Sequence, residues 1–532
     1  MAVFNGIILI MNSSHTGRAS HLKKYAPALL SGVALVFAFP KYDYGLLAFV
    51  ALVPLLVSLE GFKRSEAALA GLVFGSVYIF GTNYWLYHSL YYYGGVPLAG
   101  ALLGIVLGAA YLGVYYALVA YLFVRVRDAS NAPAALLVPV LWVMAEYGRS
   151  HLMTGVPLAL VGYTQHQYPV MLQIADITGV YGVSFLVVAV NGALADVLTL
   201  RLKQERRPLF SIGPVVGGVA AVVALLCMSL GYGAWRLGQE PGASGRDVRV
   251  SVIQANIEQS MKWDTAFQQT VVAAYDRLTE EAMQDEPDLI VWPETAVPIL
   301  FEKGGPEYAR MRKYRDAIGA DLLFGAITSK PGPDGTMLQS NSTIFIGHDR
   351  AAAQVYDKLH LVPFGEYVPL RNILFFIKKL TAGIGDFAPG EGHARMKAEY
   401  GEFAAVICYE IMFPSLVRNF YKDGGDFIVT VTNDGWFGTT SGPHQHFAMS
   451  VLRSVENRKP LIRAANTGIS GFVDSHGRVT ARTNLMQEAV LAGTIRTDST
   501  RSFYSRFGDL FVYVCMVVGI VAIFNTYKPG RR

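Results

Sequence analysis

Hydrophobic and polar positions divide the chain into two kinds of sequence. Residues 25–236 are dominated by long apolar runs with short polar breaks, whereas residues 245–500 mix apolar and polar positions as a water-facing domain does. A membrane-crossing helix needs about 20 apolar residues. Eight candidate spans follow, at 25–41, 45–60, 67–90, 97–125, 133–147, 178–200, 209–236 and 508–527. The second and fifth are short. A buried soluble helix is the alternative for such runs, but they are adjacent and nearly uncharged.

Lysine and arginine in short flanking loops set the orientation of such spans. Arg18, Lys23 and Lys24 precede the first. Lys63 and Arg64 follow the second, Arg125 and Arg127 the fourth, and Arg201, Lys203, Arg206 and Arg207 the sixth. Lys528, Arg531 and Arg532 close the chain. The alternate loops hold Lys41, no charge over Tyr91 to Val96, and Arg149 near the fifth span. This alternation predicts eight spans with both termini in the cytoplasm. The expected organisation is a seven-span transmembrane domain at 1–236, a globular domain at 237–507 on the far side, and a last span with a cytoplasmic tail at 508–532. Met1 to Met11 is a poor signal peptide because it lacks a positive flank. The first span then serves as an uncleaved insertion signal, and Met11 is an alternative start.

Two further segments read as interfacial. Residues 149–177, with Gly155, Pro157, Gly162, Tyr163 and Gln165, suit re-entrant or surface helices over a cavity. Residues 370–380, which carry Lys378 and Lys379, suit either a membrane-dipping arm or a buried helix.

The globular part predicts strands at 246–254, 288–292, 321–327, 342–347, 352–358, 403–409, 427–432, 462–465, 470–474 and 489–496. Helices are expected at 265–284, 306–319 and 444–458. Strands alternating with helices, followed by more strands, suggest a layered α/β sandwich.

Composition supports this division. Apolar residues make up 52% and charged residues 16%, against about 25% charged in ordinary soluble domains. The net charge of +5 could suggest nucleic acid, but basic residues clustered in the loops beside the spans are enough to account for that excess. Of the three cysteines, Cys227 and Cys515 lie in apolar runs, which leaves Cys408 without an evident disulfide partner.

Three strand ends carry polar groups: Glu294 after Asp288–Trp292, Lys358 and Glu366 around Tyr356–Pro369, and Cys408 after Phe403–Ile407. Strand ends are where open α/β folds place chemistry. A cysteine attacks as thiolate, a carboxylate can take its proton, and an ammonium can steady both thiolate and oxyanion. Glu, Lys and Cys are therefore a sufficient set for acyl transfer. Singly, Glu294 could cap a helix, Lys358 could be a solvated charge and Cys408 a core residue. His444 and His446 form a His-x-His pair, but no third ligand is evident nearby and no metal is expected.

The flanks are more specific. Trp-Pro-Glu-Thr-Ala at 292–296, Lys-Leu-His-Leu-Val-Pro-Phe-Gly-Glu at 358–366, Ile-Cys-Tyr-Glu at 407–410 and Thr-Asn-Asp-Gly-Trp-Phe at 432–437 resemble the carbon–nitrogen hydrolase (nitrilase) superfamily. The eight-span frame and Phe-Gly-Glu-Tyr-Val-Pro resemble its apolipoprotein N-acyltransferase branch. The resemblance implies a polytopic α-helical membrane domain joined to a nitrilase-like α-β-β-α sandwich, with a catalytic triad of Glu294, Lys358 and Cys408. It implies support from Glu366, Tyr409 and Glu410, a tryptophan near the lipid path at Trp263, and structural support from Arg463, Asn466 and Thr467. It implies no cofactor. The implied donor is a membrane phospholipid and the implied acceptor a diacylglyceryl apolipoprotein, in the bacterial inner membrane with the catalytic domain periplasmic. Two other readings stay open: a membrane-anchored amidase or nitrilase that releases acid to water, and a transporter carrying a degenerate sensor domain. For a transporter, Glu146 and Asp196 are the few ionisable candidates near the spans.

Overall fold

The structure, a computed structural model, describes residues 23–202, 213–259, 267–302, 305–332, 335–348, 352–367 and 387–527. Among these residues, five helices have the length and apolarity to cross a membrane: Arg64–Asn83, Leu98–Ser130, Val180–Leu202, Gly213–Leu237 and Leu510–Tyr527. Three of the expected spans take other forms. The first is a 13-residue helix, Ala26–Ala38. The second is broken into a 3-10 turn at Gly45–Phe49, a short helix at Val53–Ser58 and a further turn at Leu59–Gly61. The fifth is Ala134–His151, 18 residues long, with Pro139 in its interior and Glu146 and Arg149 among its buried residues.

Arg149 explains why it fits the charge alternation poorly. It is a buried residue rather than a loop charge. Its guanidinium donates to the carbonyls of Val156 (2.9 Å) and Ala159 (3.0 Å), and also meets that of Leu158. Glu146 accepts from the Val161 N–H at 2.8 Å and the Trp142 indole at 3.0 Å. Together these side chains satisfy the irregular backbone that leads into Val161–Gln165. Non-helical chain beside a bilayer is tolerated only where protein supplies such partners. Asp196 has a similar task, accepting from the Ala135 N–H at 2.9 Å and pairing with Arg127 at 3.3 Å. Both carboxylates weighed for an ion pathway are thus engaged in holding the bundle.

Among the described residues, seven strands form one sheet and six form another. The first runs Ala489–Arg496, Asp247–Gln254, Leu289–Val291, Asp321–Pro331, Met337–Ile346, Gln354–Asp357, with Val297–Glu302 beside Asp321–Pro331. The second runs Val479–Arg482, Gly471–Val473, Leu461–Ala465, Phe427–Thr432, Gly401–Ile407, Met396–Ala398. Both sheets have parallel centres and antiparallel edges. Successive residues of a strand point to opposite faces, and here both faces are buried. Leu289, Val291, Leu323 and Phe345 meet Phe403 and Phe427 between the sheets, while Ile290, Trp292, Leu322 and Phe324 pack outward with Val271, Tyr275 and Leu278 of the helix Gln268–Ala282. The Phe345 and Phe403 rings meet edge to face at 5.2 Å across the gap.

On the outer side of the second sheet lie Pro414–Tyr421, a helix not anticipated from the sequence, and Gly442–Asn457. The latter is buried almost throughout, because the helical bundle covers the face that the sheet does not. Gln445 donates to the Thr82 carbonyl at 2.8 Å and accepts from the Trp85 indole at 3.3 Å. Arg458, just past the helix, donates to Asp176 at 2.8 Å and to Gln173 at 2.8 Å. Trp263 and residues 370–380 lie outside the described residues.

Candidate active site

The parallel strands bring their carboxyl ends to one region. Leu289–Val291 leads through Trp292 and Pro293 into Glu294, and Thr295 follows at φ 46°. This turn lies directly on the neighbouring strand. A Cβ at Gly325 would stand 2.5 Å from the Thr295 nitrogen and 2.7 Å from the Glu294 Cα, so position 325 admits no side chain without moving Glu294. Gly401–Ile407 ends in Cys408, which opens a 3-10 turn at φ 49°. A residue with a side chain resists that conformation by roughly 1 kcal/mol, so surrounding contacts must hold it.

Glu410 supplies one of them. Its buried carboxylate accepts from the Ile407 N–H (2.8 Å) and also from the Tyr356 hydroxyl (2.8 Å), the Leu359 N–H (2.7 Å) and the His360 N–H (3.1 Å). It therefore ties the nucleophile turn to the segment that carries Lys358, behind the site rather than facing it. Tyr409 lies in the wall beside Cys408, packed on Phe413 with ring centres 4.9 Å apart.

Lys358 is buried between two carboxylates, 2.9 Å from Glu366 and 3.8 Å from Glu294. Burial alone would weaken its hold on a proton, but Glu366 and Glu294 more than offset this and raise its pKa above the ordinary value. Glu366 also accepts from the Val362 N–H at 2.7 Å. Asn341, which sequence reasoning missed, joins the two acids, donating to Glu294 at 2.7 Å and Glu366 at 3.0 Å. Its one visible signal is an asparagine inside a strand, where that residue is disfavoured. The Asn433 N–H completes the setting of Glu294 at 2.9 Å.

Burial raises the Cys408 thiol pKa above its ordinary value, and Glu294 adds to the rise, while Lys358 opposes it. The expected ammonium effect is thus present but outweighed. The balance favours the thiol over the thiolate, and the proton must leave as sulfur attacks.

Asp434, His446 and Arg463 form a buried set behind the turn. Burial alone would raise the Asp434 carboxyl, but Arg463 at 2.8 Å and His446 at 2.9 Å hold it down at about 2. Asn466 braces Asn433 at 3.2 Å and the Ile257 carbonyl at 2.8 Å. Among the described residues, no group of three His, Cys, Asp or Glu side chains could hold a metal ion.

Glu294, Lys358, Glu366, Cys408 and Tyr409 all border one cavity of about 700 Å³. Its far wall is the bundle: Ile79 of Arg64–Asn83, and Gly104, Ile105, Gly108 and Leu112 of Leu98–Ser130. Trp436, Phe437 and Met412 continue the wall on the sandwich side. The site can therefore perform nucleophilic acyl chemistry at the end of a largely apolar space shared by both parts of the molecule.

The family model described as apolipoprotein N-acyltransferase N-terminal domain matches residues 31–193, and that described as carbon-nitrogen hydrolase matches residues 249–504. The chain is 40% identical over 500 residues to the apolipoprotein N-acyltransferase of Geobacter metallireducens, covering 93% of each protein. It is 33% identical over 499 residues to that of Haemophilus influenzae, covering 92% of each. Among solved structures, a CN-hydrolase superfamily protein from Xanthomonas campestris is similar to 47% of this chain over 91% of its own length, at 19% identity and a TM-score of 0.37.

Proposed function

The chain belongs to the apolipoprotein N-acyltransferase family, and on that premise we propose a two-step acyl relay through Cys408. In the first step Glu294 accepts the Cys408 proton while sulfur bonds to the sn-1 ester carbonyl carbon of a membrane phospholipid. Lys358 faces the developing oxyanion. The ester C–O bond breaks, Glu294 returns the proton to the departing glycerol oxygen, and lysophospholipid leaves. In the second step the free α-amino group of a diacylglyceryl-modified apolipoprotein cysteine attacks the thioester. A C–N bond forms, the C–S bond breaks, and the amine's proton passes by way of Glu294 to the Cys408 sulfur. Glu366 and Asn341 hold Lys358 and Glu294 in register throughout.

The observation that carries this reading is the shared wall of the cavity. A hydrolase of small amides has no use for a 700 Å³ space bounded by Ile79, Ile105 and Leu112 of two long apolar helices, whereas acyl chains arriving from a bilayer do. Such walls also keep water from the thioester, which favours transfer to an amine over hydrolysis.

The proposed organisation is residues 1–236 as a seven-span domain, 237–507 as the catalytic domain and 508–532 as the last span and tail. It counts Ala26–Ala38, Gly45–Gly61 and Ala134–His151 as crossings alongside the five long helices. The basic loops put both termini in the cytoplasm, with the catalytic domain on the periplasmic face of a bacterial inner membrane.

Intact-protein mass spectrometry after incubation with phospholipid alone tests the relay. The expected product is a hydroxylamine-labile acyl mass on the wild type, absent in Cys408→Ala and discharged by a diacylglyceryl peptide with a free amine. A wild-type enzyme that transfers acyl chains while never carrying such an adduct overturns the thioester.

A further inference from the structure

His446 lies on the buried helix Gly442–Asn457, and its side chain is fully enclosed. Its Nε2 is 3.1 Å from the carbonyl oxygen of Cys408. A carbonyl can only accept, so Nε2 carries a hydrogen and donates it. The other ring nitrogen faces two groups, and it can donate to Asp434 or accept from Arg463 but not both. Nδ1 is 2.9 Å from Asp434 Oδ1 and 3.0 Å from Arg463 Nη2, and Arg463 is itself bound to Asp434 at 2.8 Å. Thr432 adds a hydroxyl to Asp434 at 3.0 Å. The ring is therefore fixed in its plane from one edge and offers a single N–H from the other.

The recipient of that N–H is one of the strained backbone positions of the site. Cys408 is a non-glycine residue at φ 49°. One residue before it, the Ile407 N–H is held by Glu410. Directly after its Cα, the carbonyl is held by His446. A buried carbonyl without a donor is strongly disfavoured, so removing this one would let the turn relax toward φ below zero and swing the thiol from its place in the cavity wall.

We infer that His446 is a positioning residue for the nucleophile. Its Nε2–H holds the Cys408 carbonyl and, through it, keeps the thiol pointed at the acyl donor, while Asp434 and Arg463 orient the ring. Neither the metal reading of the His-x-His pair nor a purely packing role accounts for this single directed bond. The inference rests on the acyl relay proposed above.

Two amide replacements separate the roles. In His446→Gln the amide reaches where Nε2 stood and can still donate to Cys408. In His446→Asn it reaches only to Nδ1, keeping contact with Asp434 but leaving the carbonyl unpaired. Single-turnover thioester formation from phospholipid is followed by mass spectrometry on full-length protein, with melting curves as the folding control. Formation is expected within a few-fold of wild type for Gln and lower by about 100-fold for Asn, the scale of a misplaced reacting group. The KM for phospholipid should be unchanged in both, and Asn should show slower alkylation of Cys408 by iodoacetamide. Equal rates in two folded variants overturn the inference. If the Asn variant does not fold, the Gln variant decides alone, since a folded Gln protein that forms no thioester overturns it equally. A wild-type enzyme that forms no thioester sinks the relay instead, and is told apart by that control.

Discussion

Asp176 and Glu366 are both carboxylates meeting long cationic side chains, yet the two regions around them are built to opposite ratios. At the junction of bundle and sandwich, Asp176 receives Arg458 at 2.8 Å, the Tyr232 hydroxyl at 2.8 Å and Arg236 at 3.4 Å. One acid is matched to two guanidinium groups. At the cavity, Glu366 and Glu294 share the single ammonium of Lys358, so two acids are matched to one cation. Burial does not separate the two sets, but the ratio does. The first leaves no acceptor short of a donor and is sealed. The second has more carboxylate groups than cations beside the Cys408 thiol, which leaves one of them to accept a proton.

The sharpest way to break this comparison is to change the ratio at the cavity. Glu294→Gln keeps the shape and removes the excess charge, and the rate of thioester formation should fall about 10³-fold. Lys358→Met leaves two carboxylates facing each other with no cation, and should cost about 10²–10³-fold in the same measurement. If Glu294→Gln still forms the thioester at the wild-type rate, the anionic excess is incidental.

The same logic predicts the converse at the junction. Arg458→Met leaves Asp176 with Arg236 and the Tyr232 hydroxyl, and stability in detergent should drop by about 3–5 kcal/mol by denaturant unfolding, with turnover per folded molecule unchanged. Lost turnover at full stability would erase the distinction between the regions.

The smallest effect concerns Asp434, matched to one guanidinium. Its folded pKa of about 2 lies below the ordinary 3.8. The resulting stabilisation is therefore complete above pH 3.8 and is lost as pH falls toward 2. Between pH 4 and 2 the wild type should lose about 2 kcal/mol more than Asp434→Asn does, read from unfolding midpoints across that range.

Much of the sandwich is legible in the sequence, because strands buried on both faces form apolar runs bounded by turns. Val297–Glu302, Met396–Ala398 and Val479–Arg482 escape this reading. The last two are short edge strands, and the first includes a proline. Apolar length cannot distinguish a continuous helix from the broken path Gly45–Gly61. Nor can a lysine-and-arginine count reveal that Arg149 turns inward to serve carbonyls. At the site, Glu294, Lys358 and Cys408 stand out because each ends a strand within a distinctive motif. Asn341 does not, and the His-x-His pair gives no hint of the tie from His446 to Cys408, since the partners Glu294 and Cys408 lie 47 and 38 residues away and only the fold makes them neighbours.

The pairing of Asp247–Gln254 with Ala489–Arg496 has a consequence for the birth of the protein. The strand that opens the sandwich waits for a partner made some 240 residues later, joined residue by residue from Asp247↔Arg496 to Gln254↔Ala489. Chains are synthesised at about 5–20 residues per second, so for many seconds the nascent sheet has an open edge. A ribosome stalled anywhere in that interval holds a chain whose first sheet still lacks an edge strand. The sheet closes only with Ala489–Arg496, just before the chain enters the helix Leu510–Phe524.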